Sequence, residues 1–250
     1  MIASPTHPTS ACFHDAFVLR YPRHSLLLVG GLPGAGKSTL LARLYGLSGR
    51  ETAPVRTRDG VWVLDSLHAR NRLTPYLRAV PYPLWRWATH LLHYVRVFAA
   101  LRRRAPVVVH ETGTRRTVRR LLALYCRITG AELHLLFVDA TPAEARRGQD
   151  MRGRRVSERS FRTHQRRWLA LRRAIARDPQ QAVPEARSLV LVTRGEAACL
   201  HRIDFTGRAA SRVVPAARPV PVPRTPPRKT PVAVPRAIPP PPEARRSPGA

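Results

Sequence analysis

Five short runs of the chain are apolar almost throughout: Ser25 to Val29, Val61 to Leu64, Pro106 to His110, Leu133 to Val138 and Ser188 to Val192. None alternates apolar with polar positions, so these runs predict strands buried on both faces, as in a parallel sheet covered by helices. Stretches with helical spacing lie between them: Ser38 to Tyr45, Leu84 to Arg103, Thr117 to Thr129, Pro142 to Arg147 and Ser157 to Ala176. This alternation predicts a three-layer α/β domain with a five-stranded parallel sheet and right-handed crossovers. In the longest helix, Leu84, Ala88, Leu91, Val95 and Phe98 fall on one side, and Trp85, Trp87 and Leu92 widen an apolar face of the kind that packs on a core. Core packing is also the expectation for the aromatic residues Tyr76, Tyr82, Trp85 and Trp87, ahead of stacking on a planar ligand.

The two ends break this pattern. Residues 1–23 are punctuated by Pro, Ser and Thr, and predict a flexible segment with a short helix around Asp15 to Arg20. From Val214 onward the chain holds 13 of its 25 prolines, a composition that favours polyproline II and builds no core. The expected organisation is a flexible segment 1–23, a folded domain 24–207 and a disordered Pro/Arg-rich tail 208–250. That tail reads either as a solvated appendage or as a docking arm for an acidic or proline-recognising partner.

Charge changes the picture only in part. The 250 residues include 44 Lys or Arg and 15 Asp or Glu, a net charge of +29, which excludes an acidic chaperone or a neutral scaffold. Of the basic residues 42 are Arg and two, Lys37 and Lys229, are Lys, so an Arg bias accounts for part of the charge and weakens an inference to nucleic-acid binding. The same bias makes a retained Lys informative, because a compact ammonium and a guanidinium are not interchangeable. Three widely spaced cysteines, Cys12, Cys126 and Cys199, point to a reducing compartment. There is no apolar run of about 18 residues and no leader-like N-terminus, so a cytoplasmic protein without a membrane span is expected.

Chemistry concentrates after the first strand, in Gly31-Leu32-Pro33-Gly34-Ala35-Gly36-Lys37-Ser38-Thr39. This is Gly-x-x-x-x-Gly-Lys-Ser/Thr in the strand-to-helix setting that it requires. The glycines let successive N–H groups turn inward to phosphate oxygens, and the helix that follows adds the positive end of its dipole. Lys37 is expected to reach the terminal phosphates of ATP, and the Ser38 hydroxyl to hold Mg²⁺.

With this motif the chain resembles the P-loop kinases of the polynucleotide kinase and zeta toxin group, often described as AAA-family ATPases. The resemblance covers about residues 24–207. It implies an ATP-dependent phosphotransferase that moves the γ-phosphoryl group to a hydroxyl of a small molecule or a nucleic-acid end; a nucleotide-dependent regulatory ATPase is the alternative. In such kinases an acid with a nearby Arg follows the second strand, which here corresponds to Asp65 as general base and Arg70 as substrate or phosphate anchor. A carboxylate at the end of a strand also faces the ligand crevice of an open α/β sheet, and Asp65 equally reads as the N-cap of the next helix. Glu111, after the third strand, corresponds to the acid that helps to orient Mg²⁺, and Asp139, after the fourth, to a second acid or a turn residue. The segment Arg146 to Arg155 resembles the lid, with Arg147, Arg152 and Arg155 as candidates to stabilise charge on the transferred phosphoryl group, and Gly148 and Gly153 as hinges. Arg115, Arg116, Arg119 and Arg120 read as an exposed helix face or, for Arg115, as part of an acceptor pocket.

Overall fold

The computed structural model describes residues 17–153 and 155–206. The sequence reading of 208–250 as a tail, and of 1–16 as part of a flexible segment, lies outside those residues. Each of the five apolar runs is a strand: β2 (Ser25–Gly30), β4 (Trp62–Asp65), β5 (Val107–His110), β6 (Glu132–Asp139) and β7 (Ser188–Thr193). They are mutually parallel, and β2 is buried along its whole length. A sixth strand, β3 (Val55–Arg56), adds antiparallel to the edge and gives the order β3-β4-β5-β2-β6-β7. The sheet is therefore mixed rather than purely parallel. At two residues, β3 is too short to show an apolar run.

Two further strands also escape an apolar-run criterion. Phe17–Arg20 is strand β1, not a helix, and pairs in parallel with β8 (Leu200–Asp204) as a small second sheet. Ordered chain thus begins before residue 24, because Phe17 and Leu19 pack against the core.

The helices are α1 (Lys37–Tyr45), α2 (Ser66–Leu77), α3 (Tyr82–Leu101), α4 (Arg116–Thr129), α5 (Pro142–Asp150), α6 (Glu158–Arg177), α7 (Pro179–Ala182) and α8 (Arg194–Cys199). The connections β4-α3-β5, β5-α4-β6 and β6-α5-α6-β7 advance across the sheet in one direction, whereas β2-α1-β4 runs the other way. Right-handed crossovers therefore put α1 on one face and α3, α4 and α6 on the other. The direction reverses at β2, so a crevice opens at its carboxyl end, where the glycine-rich loop begins.

One expectation about polarity is reversed. The apolar stripe of α3 faces outward, with Leu84, Leu91 and Val95 exposed, while Trp85, Thr89, His93, Val97, Ala100 and Leu101 are buried. Trp85 fits the core expectation, donating from its indole N–H to the Val80 carbonyl, but Trp87 and Tyr76 are exposed. The inward face is polar at Thr89 and His93; burial pulls the pKa of the His93 imidazole down to about 4, opposed by the nearby carboxylates of Glu111 and Asp65.

Candidate functional site

The loop from Gly31 to Gly36 is shaped by three positive-φ glycines, at φ 130°, 92° and 108° for Gly31, Gly34 and Gly36. A Cβ on Gly31 would lie 2.5 Å from the Val138 carbonyl oxygen, and one on Gly34 would lie 2.0 Å from that of Ala145. Gly36 has open space where its Cβ would point. The loop is therefore packed tightly against β6 and α5 on one side and open on the other, as a backbone cradle for an anion must be.

Lys37, first residue of α1, is buried and donates from Nζ to the carbonyls of Gly31 (2.9 Å) and Leu32 (2.8 Å). Burial pulls its pKa down to about 8, opposed by the nearby carboxylates of Glu111 and Asp65. No carboxylate lies within salt-bridge distance of it among the described residues. A buried cation held only by carbonyl dipoles, under a curl of backbone N–H groups, suits a phosphate chain.

Beside the loop opens a cleft of about 660 Å³, lined among others by Pro33, Gly34, Ser38, Thr39, Asp65, His110, Gln149 and Arg152. Its wall opposite the loop begins where β4 ends. Asp65 caps α2: Oδ1 accepts from the Leu67 N–H at 2.8 Å, and the backbone N–H of Asp65 donates to Nδ1 of His68. Oδ2 of Asp65 lies 2.5 Å from Nδ1 of His110, at the end of the neighbouring strand β5. A carboxylate can only accept, so His110 Nδ1 carries the proton. Burial works against the ionised form of Asp65. The attraction and hydrogen bond of His110 outweigh it, with the Leu67 N–H, and hold the carboxyl well below the usual range. The cap and the cleft-facing reading of Asp65 thus both hold.

Glu111 follows His110 but does not line the cleft. Oε1 accepts from the N–H and hydroxyl of Thr112, each at 3.0 Å, and Oε2 accepts from the Tyr94 hydroxyl at 3.2 Å. Burial penalises its charge, and these donors with His93 more than offset that, so its pKa is lowered. Among the described residues no group of three or more His, Cys, Asp or Glu side chains is arranged to hold a metal.

The lid arginines separate by position. Arg152 reaches the loop: Nη2 donates to the Thr39 hydroxyl at 2.5 Å, and Nη1 lies 3.4 Å from Oγ of Ser38. Arg155 pairs with Asp150 instead, and Arg147 is exposed on α5; neither lines the cleft. Arg70 is also outside it, exposed on α2 with its guanidinium 4.3 Å from the centre of the Tyr82 ring. Asp139 pairs with Arg172 of α6 at 2.8 Å, a structural contact rather than a cleft acid. Arg119, grouped by sequence with exposed neighbours, is buried, paired with Glu185 at 2.6 Å and bonded to the Gly113 carbonyl.

Gly148 is not a hinge. It sits within α5, and a Cβ there would come 2.2 Å from the Gly34 carbonyl oxygen. Gln149 fastens the same contact: Nε2 donates to the Pro33 carbonyl at 3.1 Å, and Oε1 accepts from the Val156 N–H at 3.0 Å. Neither residue carries a signal by itself; a Gly-Gln pair at helix spacing from a lid arginine is the one clue in the sequence. His110 was visible only as a polar residue ending an apolar run.

The sequence profile of the AAA domain family matches residues 26–177, which takes in the loop, Asp65, His110 and the segment Arg146 to Arg155. The chain belongs to this family. As an AAA domain it carries a nucleotide-binding P-loop on an α/β scaffold. Among solved structures the domain is similar to one from the PezAT chromosomal toxin-antitoxin system of Streptococcus pneumoniae, at 14% identity and a TM-score of 0.47, over 70% of this chain and 69% of that one. It is similar also to a chain of the Pnkp1/Rnl/Hen1 RNA repair complex, at 17% identity and a TM-score of 0.46, over 68% of this chain and 49% of that one, so it spans about half of that chain's length. No curated protein matches it.

Proposed function

We propose that this AAA domain is an ATP-dependent kinase that transfers the γ-phosphoryl group of ATP to a hydroxyl acceptor. The observation that carries this reading is the Asp65–His110 pair on the same cleft as Ser38 and Thr39 of the phosphate loop. Simple nucleotide binding has no use for a buried carboxylate and imidazole facing the phosphate cradle, whereas transfer to a hydroxyl needs a proton acceptor there.

The acceptor oxygen attacks the γ-phosphorus as its O–H proton passes to the Asp65–His110 pair. The bond from γ-phosphorus to the bridging oxygen breaks, and ADP leaves with the electron pair. Asp65 alone, with its lowered pKa, is a weak base; the adjoining imidazole gives the pair somewhere to keep the proton. Lys37 and the loop N–H groups hold the β- and γ-phosphates, and Arg152 supplies positive charge to the transferred group. The Ser38 hydroxyl would hold Mg²⁺, which when bound neutralises charge on the phosphate oxygens. With no three-ligand cluster among the described residues, such an ion would share its ligands with the phosphates and water, as Mg²⁺ commonly does. Glu111, saturated by Thr112 and Tyr94, supports that site through its field on Lys37.

The test is incubation of the purified chain with γ-labelled ATP and a pooled set of hydroxyl acceptors, including 5′-hydroxyl oligonucleotides, nucleosides and sugar nucleotides. Label on an acceptor, abolished in Lys37→Ala and reduced by about 10²-fold or more in Asp65→Asn, is the expected result. ATP hydrolysis without a labelled acceptor, unchanged in Asp65→Asn, would instead make the protein a nucleotide-dependent regulatory ATPase.

A further inference from the structure

The outward face of α3 is apolar for about three turns. Leu84, Trp87, Leu91 and Val95 are 66%, 68%, 58% and 53% exposed. The neighbouring helix α4 presents a second stripe at i, i+3 and i+7, Leu121, Leu124 and Ile128, again largely exposed. The helices meet where the Phe98 and Tyr125 rings pack with centroids 4.3 Å apart, and Tyr94 stacks on Phe98. These rings are half-buried at the seam of the two helices, with exposed apolar residues of each helix on either side, and packed helices leave a groove along such a seam. Contiguous exposed apolar surface of this extent marks an interaction site in a soluble domain.

Charge decides what fits there. Between residues 82 and 129 the sequence has ten arginines and a single acid, Glu111, whose oxygens are taken up by Thr112 and Tyr94. Arg116, Arg120 and Arg127 are exposed along the flank of α4 beyond the apolar stripe, and none pairs with a carboxylate among the described residues. A second copy of the chain would bring the same acid-free, arginine-rich face and be repelled. A nucleic acid would satisfy the arginines and leave the apolar ridges in water. A flat bilayer would meet the ridges and leave the ring-floored groove unfilled.

We propose that the α3–α4 face is a docking groove for an acidic amphipathic helix of a partner protein. Its apolar side would lie along the groove, and its carboxylates would reach over the Leu121–Ile128 ridge to Arg116, Arg120 and Arg127 on the far flank of α4. This is the helix-in-groove mode, in which apolar anchors give affinity and charge gives orientation and rate. The inference does not depend on which reaction the P-loop site performs.

The probe is a displayed library of random segments of about 16 residues, long enough for four helical turns, selected on the full-length protein. The expected winners have net negative charge and apolar residues at i, i+3, i+4 and i+7. As synthetic peptides they should bind at least about tenfold more weakly to Leu91→Glu/Ile128→Glu and to Arg120→Glu/Arg127→Glu, and weaken as salt rises. Both double variants change exposed residues, and unaltered circular dichroism and ATP-analogue binding would establish that they fold. Selection of neutral or basic segments, or of peptides indifferent to both variants, would overturn the proposal. So would capture of the chain by phosphatidylserine vesicles, or a dimer in sedimentation, that Leu91→Glu/Ile128→Glu abolishes while no acidic peptide binds.

Discussion

In the phosphate loop, three residues with left-handed φ pack their backbone against β6 and α5, and the adjoining Lys37 turns inward to two carbonyls. In α3, about three turns of large apolar residues point to solvent, while a threonine and a histidine are buried. The loop's motif is local: its conformation is marked by where glycine is required, although β6 and α5 hold it in place. A helix has two faces, and which one is buried depends on what it meets. The inner face of α3 is polar in part, and the carboxylates of Glu111 and Asp65 lie near its buried His93.

The largest effect should come from breaking the loop's fit to α5. Gly148→Ala places a methyl group 2.2 Å from the Gly34 carbonyl oxygen, between two backbones that cannot both stay where they are. A loss of about 4 kcal/mol or more in unfolding free energy is expected, together with weaker ATP binding, since Gly34 would move with its carbonyl. Denaturant titration and calorimetric binding would check this. A Gly148→Ala protein as stable as its parent would mean that the helix and loop are not in contact.

The second test concerns the side of α3 that sequence spacing did not select. Leu101→Ala removes a fully buried side chain from the seam of α3 with the sheet and should cost about 2–4 kcal/mol, most of it cavity and transfer energy. A cost near zero, measured by the same titration, would put the core on the other side of the helix.

Much of the molecule was legible in order along the chain. The five core strands are runs that must be apolar because both faces are covered, and each is recovered to within about two residues. Asp65 was visible because it ends an apolar strand at the carboxyl edge of the sheet, where open α/β folds bind ligands. What escaped was of two kinds. Strands β1, β3 and β8 are short or edge-placed, and their pairing is fixed by distant partners rather than by local pattern. The partnerships Asp65–His110, Gly34–Gly148 and Arg119–Glu185 join residues 45, 114 and 66 positions apart. No spacing rule reaches that far. The same limit governs the lid, where composition offered several equivalent arginines and only the fold brings Arg152 to Ser38 and Thr39.

A third effect is smaller and depends on pH. Lys37 is charged in the free protein below about pH 8 and progressively neutral above it, because burial has lowered its pKa from the ordinary lysine range. A bound phosphate chain needs the charged form. Affinity for ATP should therefore fall by about twofold from pH 7 to 8, then towards tenfold per unit, about 1.4 kcal/mol of binding free energy for each further unit. Calorimetric titrations from pH 7 to 9.5 would measure it, and constant affinity throughout would mean that Lys37 keeps an ordinary pKa.

The smallest effect returns to the outer face of α3. Leu91 is more than half exposed, so Leu91→Gln gives up little burial and exchanges one good helix former for another. Unfolding free energy should change by no more than about 0.5 kcal/mol, against several for Leu101→Ala on the same helix. The comparison is informative because the sequence ranks the two positions the other way: Leu91 lies at the centre of the apolar stripe, and Leu101 lies off it at the helix end. A loss above about 2 kcal/mol at Leu91 would mean that the outer face is covered in solution even without a partner protein, which only another copy or another part of the chain could do. A negligible loss leaves a large apolar surface with no role in stability, and the groove with α4 then has binding as its remaining use.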